Sequence, residues 1–298
     1  MNKFKPFLKL IGSILAVVSV FFLIKILKES YAQIHHKEFS LQTILVYLFL
    51  IFWSLLTYLA FAYAWKQLLK NKYPDFKFLD SFRIISLSQI AKYLPGNVAH
   101  FASRYYLADK HLTKTDTTIT LVLETIMFTL ASFIIGCGYF FYHDLFNIFD
   151  KNKVLMLFVL ASVIVIILVV VFIIIKKNHT SLKLPASKLI TTFFIYLLLP
   201  FMGGLSIYLL FQLILQEQSV SYLLCVFSFS ISFLLGFVVP GAPGGIGIRE
   251  YSFTLLMAPF ISTVLALEVI LIFRVLSLVG DILLFVIGKF IPVKISHD

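Results

Sequence analysis

Four polar residues surround a proline–glycine pair inside an otherwise apolar stretch of the sequence: Lys92, Asn97, His100 and Arg104. The last three recur at spacings that place them on one face of a helix. A cation at membrane depth is costly and usually faces a cavity or a partner. Lysine and arginine there suit an anionic group such as a lipid phosphate. We therefore predict an anion site, the alternative being that both cations extend to the headgroups at the membrane surface.

A second break, at residues 237–251, is rich in glycine and proline and ends in an arginine–glutamate pair. A helix beginning near Ile246 would point its free amide groups and positive dipole end at these glycines, which suits an anion. The spacing is no nucleotide-binding fingerprint, because no strand precedes it. We add Arg249 to the predicted headgroup-binding residues. The residues predicted to break the backbone are Pro95, Gly96, Pro240, Gly241, Pro243, Gly244, Gly245 and Gly247.

Acidic residues inside apolar segments form a third group. Glu124, Glu268 and Asp281 lie in apolar runs, Glu250 follows the second break, and Arg274 shares a helical face with Asp281. One interpretation is that this group balances charge or couples transport to an ion. The other is a structural ion pair between helices, for instance of Glu124 with Arg249 or Arg274, and both interpretations stay open.

Signals for enzymatic chemistry are poor. The sequence has no zinc-protease motif, no nucleophile elbow and no histidine–cysteine cluster with metal-ligand spacing. Its two cysteines, Cys137 and Cys225, lie within apolar segments and resemble small buried hydrophobic residues. We expect no catalytic residue, no metal and no cofactor.

The composition of the chain indicates the kind of fold that positions these residues. Hydrophobic residues make up 60% of the sequence, and the mean hydropathy is +1.00, which excludes an ordinary soluble domain. The net charge of +11 comes from clusters that flank apolar runs, so it predicts membrane topology and not nucleic-acid binding. We expect one membrane-embedded all-α domain over residues 1–298, with halves at about 1–145 and 146–298.

Six apolar runs are long enough to cross a bilayer as helices, which takes about 20 residues. They are 7–27, 41–65, 117–142, 154–175, 189–215 and 262–290. Two further apolar regions, 82–107 and 221–260, contain the breaks. Their limbs are short; residues 84–94 as a helix would measure about 16 Å.

Lysine placement decides how these two regions enter the membrane. Basic residues ahead of the first run indicate a cytoplasmic N-terminus, and basic clusters on both sides of the first break place both its flanks there. The region 82–107 should therefore enter and leave by one face as a re-entrant hairpin. A second hairpin over 221–260 would place Lys289 and Lys294 in the cytoplasm as well. Two halves, each with an odd number of crossings, would then form an inverted repeat whose hairpins meet near the midplane.

The motifs at the breaks resemble the transmembrane region of the lysylphosphatidylglycerol synthase family. The similar stretches are residues 89–100 with Arg104, the segment around Glu124, and residues 243–250. The resemblance implies a prokaryotic plasma-membrane protein, similar to stand-alone flippase-like members that move lipid between leaflets. Because the family's synthases carry an aminoacyl-transferase domain after this region and this sequence ends at Asp298, we expect no lysyl transfer.

Together the residues and the resemblance predict a lipid translocase. Its cargo would be a lipid with a phosphate-bearing headgroup, such as an aminoacylated phospholipid or a polyprenyl-linked glycolipid. The alternative is a membrane partner that transports nothing and supports a glycosyltransferase or another lipid-modifying enzyme.

Overall fold

The structure is a computed structural model that describes residues 40–94, 99–142, 184–238, 245 and 247–292. The predicted crossings at 7–27 and 154–175 and the two termini lie outside these ranges. So do seven residues of the predicted breaks: Pro95, Gly96, Asn97, Pro240, Gly241, Pro243 and Gly244.

The described part of the chain is all-helical, with eight α-helices and no strand. Helices α1 to α4 span Leu41–Leu69, Phe78–Gln89, Ala99–Ala108 and Lys114–Phe141. Helices α5 to α8 span Ala186–Leu209, Tyr222–Val238, Ile248–Met257 and Thr263–Phe290. A 3₁₀ turn over Ile90–Tyr93 extends α2, and a π-helical turn over Leu210–Leu215 extends α5.

Four of these helices are long and apolar enough to cross a membrane: α1, α4, α8, and α5 with its π-helical turn. They confirm four of the six predicted crossings. Three of them begin at a hydroxyl residue, Ser40, Thr113 or Ser262, whose side chain accepts a hydrogen bond from the amide three residues on, at 3.2 to 3.3 Å. Such caps satisfy amide groups that a helix start otherwise leaves unpaired.

The same order of elements occurs twice in the described residues. A long helix, two short helices and a second long helix make up α1 to α4, and the same sequence makes up α5 to α8. Within each set the two short helices pack against each other, α2 on α3 and α6 on α7. The predicted breaks lie between the members of these pairs.

Contacts along α1 show the direction of its neighbours. The Trp53 indole donates to the Met202 carbonyl at 3.1 Å, and Lys188 donates to Gln67 at 3.0 Å. Residue numbers therefore rise along α1 while they fall along α5, so the two helices are antiparallel. Trp65 near the end of α1 also donates to Thr120 near the start of α4, at 3.1 Å.

Helix α8 runs parallel to α1. Tyr58 donates to Asp281 at 2.5 Å, and Ala62, one turn later, belongs to the same apolar cluster as Leu284. The first long helices of the two sets are thus antiparallel to each other. The two halves of the described chain have opposite orientations.

The short helices approach from opposite ends of the long ones. Ser81 of α2 donates to the Ala62 carbonyl at 2.8 Å, near the end of α1. Ser221, just ahead of α6, hydrogen-bonds Tyr142 at 2.5 Å, just after the end of α4. Because α1 and α4 are antiparallel, their carboxyl ends lie at opposite ends of the helix bundle.

Candidate functional site

A cavity of about 220 Å³ lies between the two pairs of short helices. Lys92, His100 and Arg104 line it from the first pair, and Arg249 and Glu250 from the second. Long helices α1, α4, α5 and α8 complete the wall. The pairs also touch directly, since the ring centroids of Phe101 and Phe237 are 6.4 Å apart. Polar residues from both pairs of short helices therefore line one shared cavity.

Lys92 is held by a buried carboxylate behind the cavity wall. Its ammonium lies 2.6 Å from Asp281, which is fully buried. Tyr58 and Tyr93 also donate to Asp281, each at 2.5 Å, and Lys92 donates to the Tyr58 oxygen at 3.0 Å. Three donors on one carboxylate offset much of the cost of burying its charge. Asp281 thus neutralises and orients Lys92.

Arg104 and Glu124 form an ion pair 2.5 Å long, with only 2% and 5% of their side chains exposed. The Arg104 guanidinium also lies 5.4 Å from the centre of the Trp65 ring. The predicted structural pairs of Glu124 with Arg249 or Arg274 are wrong, because α3 packs on α4 and places Arg104 there instead. Arg104 is consequently no free cation, although it lines the cavity.

The acid of the second break pairs with α8. Glu250 forms an ion pair with Arg274, and its other carboxylate oxygen accepts from the Gly247 amide at 2.7 Å. That contact is the carboxylate half of a capping box and sets the start of α7. Gly247 has a φ of +82° and Gly245 one of +75°, a region that glycine adopts without steric cost. Both glycines lie directly ahead of α7, where the sequence predicts a break in the backbone.

Arg249 differs from the other cavity cations. Its guanidinium lies 4.2 Å from the centre of the Phe233 ring, and its Nε is buried without a hydrogen-bond partner. Among the described residues no carboxylate lies within ion-pair distance of it. Gly236 makes room for it, since a Cβ at that position would lie 3.2 Å from the Arg249 Cβ.

The charges around the cavity therefore do not cancel within the described residues. The four cations are Lys92, Arg104, Arg249 and Arg274, and the three carboxylates are Glu124, Glu250 and Asp281. Each carboxylate already holds one cation. Arg249 is left over, so the cavity carries a net positive charge that suits one anionic group.

Two predicted residues have other environments. The His100 ring packs on Phe101, with centroids 3.9 Å apart, and its buried Nδ1 has no hydrogen-bond partner in the described part of the chain. Glu268 is buried near Tyr47 and is not among the residues that line the cavity. The structure therefore does not bring Glu268 to the predicted site.

The sequence analysis did not predict the two tyrosines that donate hydrogen bonds to Asp281. Tyr93 directly follows Lys92 in the sequence, and that adjacency was the only local signal for it. Tyr58 lies in the middle of an apolar run, where a tyrosine is ordinary. Its role depends on the parallel packing of α1 and α8.

Comparison with known proteins identifies the chain at the level of a family. The family model described as the lysylphosphatidylglycerol synthase TM region matches residues 9–284. That match covers most of the chain and confirms the resemblance seen in its motifs. No curated protein and no solved structure matches the chain.

Proposed function

The chain belongs to the lysylphosphatidylglycerol synthase TM region family, a family of multi-pass membrane proteins, and we propose that it translocates a lipid with a phosphate-bearing headgroup. The observation that carries this proposal is Arg249, a cation without a carboxylate partner in the described residues, on the wall of a cavity between two helix breaks. An uncompensated cation in an apolar interior is expensive. An anionic ligand removes that cost.

A lipid phosphate fits this position by geometry and charge. The arginine fork donates two parallel hydrogen bonds to phosphate oxygens, and Phe233 holds the guanidinium plane from one side. Lys92, Arg104 and Arg274 add positive potential from the same wall, although each has its own carboxylate. We assign headgroup contact to Arg249 and charge balance to Glu124, Glu250 and Asp281.

The arrangement of the helices supports transport. Halves of opposite orientation with broken helices at their interface are the architecture of many alternating-access transporters. We propose that the two pairs of short helices are re-entrant hairpins, the first entering from the cytoplasmic face and the second from the other. In that topology both termini are cytoplasmic, and the membrane is the prokaryotic plasma membrane. Rocking of one half against the other would expose the cavity to each leaflet in turn.

The test is lipid translocation by the full chain in reconstituted vesicles. Fluorescent phosphatidylglycerol is placed in both leaflets, and an impermeant quencher reports the fraction that reaches the outer leaflet. Arg249→Gln should slow translocation by about tenfold to a hundredfold, the value of one charge-assisted hydrogen bond.

The matched control is Arg83→Gln. Arg83 donates to the Ile291 carbonyl at 2.9 Å and does not line the cavity, so this variant should translocate at the wild-type rate. Equal rates in the wild type and Arg249→Gln would remove the assigned site. A wild type that moves no lipid but co-purifies with a glycosyltransferase or another lipid-modifying enzyme would favour the non-transporting role instead.

A further inference from the structure

Small hydroxyl side chains line the same cavity from five helices. They are Ser54, Thr57, Thr125, Ser132, Ser206, Ser230 and Ser277. None of them is charged, and none belongs to the ion pairs described above. The wall combines Arg249, a cation without a carboxylate partner in the described residues, with many hydroxyl groups. It therefore suits a ligand that carries further polar groups besides a phosphate.

Six of these seven hydroxyl groups, all but Ser132, donate their proton to a carbonyl of their own helix. Ser230 donates to the Val226 carbonyl at 2.6 Å, and Ser277 donates to the Phe273 carbonyl at 2.8 Å, each four residues back in its own helix. Ser54, Thr57, Thr125 and Ser206 also donate to carbonyl oxygens three or four residues back in their own helices, at 2.7 to 3.3 Å. A hydroxyl that donates its proton retains lone pairs that accept. These six residues therefore offer the cavity hydrogen-bond acceptors.

A ligand that meets these acceptors must carry donors, which are either hydroxyl groups or an ammonium group. The charges decide between them. Glu124, Glu250 and Asp281 each hold a cation of the protein, although the second Glu124 oxygen is buried without a hydrogen-bond partner in the described part of the chain. Arg249 leaves the cavity positive. An ammonium group would add a positive charge to a cavity whose carboxylates each already hold a cation, so it is disfavoured.

We infer that the headgroup beyond the phosphate is an uncharged polyol, such as glycerol or a sugar, whose hydroxyl groups donate to the serine and threonine oxygens of the cavity wall. This inference rests on the proposed function, because it takes the cavity as the site of a phosphate-bearing lipid. It separates the cargo of this chain from lipids whose headgroup carries an amine.

Binding of short-chain lipids to the detergent-solubilised full chain tests the inference. The three probes are dioctanoyl phosphatidylglycerol, the matching phosphatidylpropanol, which lacks the headgroup hydroxyls, and lysyl-phosphatidylglycerol, which adds ammonium groups. Phosphatidylglycerol should bind best. Phosphatidylpropanol should bind about fivefold more weakly for each hydrogen bond lost. Equal affinity for these two, or tighter binding of the lysyl lipid, would overturn the inference.

The variant Ser230→Ala with Ser277→Ala should reduce the preference for phosphatidylglycerol over phosphatidylpropanol. Ser86→Ala is the matched control, because Ser86 makes the same kind of contact, to the Phe82 carbonyl at 2.6 Å, but does not line the cavity. An unchanged preference in the double variant would contradict the inference. The vesicle assay decides transport separately: selective binding without translocation would refute the transport role and leave the polyol assignment in place.

Discussion

Removing either charged side chain of the Arg104–Glu124 ion pair should destabilise the protein strongly. Both side chains are almost fully buried and the pair is 2.5 Å long, so solvent screens little of the interaction. Removing one partner of such a pair leaves an uncompensated buried charge, which costs about 3 to 5 kcal/mol. Arg104→Met and Glu124→Gln should therefore each lower the free energy of unfolding by roughly that amount.

The double variant separates this mechanism from a general loss of packing. With both charges gone, no buried charge lacks a partner, and replacing a buried pair by uncharged residues is often nearly neutral. Arg104→Met with Glu124→Gln should thus lose less than either single variant. Unfolding of the full chain by a denaturing detergent measures this, with Trp fluorescence as the signal because the Trp65 ring lies 5.4 Å from the Arg104 guanidinium.

Lys188→Met is a suitable control for the same assay. Lys188 donates to the neutral Gln67 side chain at 3.0 Å, so its loss leaves no buried charge and should cost about 1 kcal/mol. If the two single variants at the pair behave like this control, or if their losses simply add in the double variant, the pair is not the buried, mutually dependent contact described above.

Three further variants test other contacts. Asp281→Asn should lower the free energy of unfolding by about 3 kcal/mol, and Lys92→Met on that background should restore most of the loss in the same denaturation assay. Gly236→Ala should weaken phosphatidylglycerol binding several-fold while circular dichroism stays unchanged, because its Cβ would press on the Arg249 Cβ at 3.2 Å. Tyr139→Phe removes a hydrogen bond of 2.5 Å to a carbonyl near the end of α7 and should cost about 1 kcal/mol of unfolding free energy.

The long helices were predictable because their signals are local. Apolar runs located all four described crossings, and their bounds differ from the helices by at most four residues. The start of α4 shows the remaining error: hydropathy suggested residue 117, whereas the helix begins at Lys114, after the Thr113 cap. The Thr113 side chain accepts from the Asp116 amide, a capping signal that hydropathy does not contain.

The charged residues around the cavity were predictable as a group, but their pairing was not. A charge in an apolar run must face something polar, which identified Arg104, Glu124 and Arg274. Helical periodicity gives the face of each residue and not the neighbouring helix that this face meets. Whether Glu124 meets Arg104 or Arg274 depends on how α3 and α8 pack around α4 and α7, and this is a property of the whole fold.

Glu268 is a residue that the sequence predicted for the site but that does not line the cavity. Its position on an apolar helix suggested the same role as that of Asp281, yet it lies thirteen residues earlier on α8, which is about 20 Å along a helix. Depth along the helix does not exclude it, because Ile270, two residues further on, lines the cavity. Glu268 lies on the opposite face of α8 from Ile270 and Ser277. The face of the helix therefore decides which of its buried acids reaches the site.

In the proposed mechanism, Arg249 binds a lipid phosphate between the two helix breaks. The most direct measurement is an experimental structure of the full chain in lipid nanodiscs that contain phosphatidylglycerol. We predict phosphate density within about 3 Å of the Arg249 guanidinium, which is hydrogen-bond distance, with the headgroup inside the cavity. A well-resolved cavity without lipid, or with Arg249 bound to a carboxylate of the protein, would contradict this mechanism.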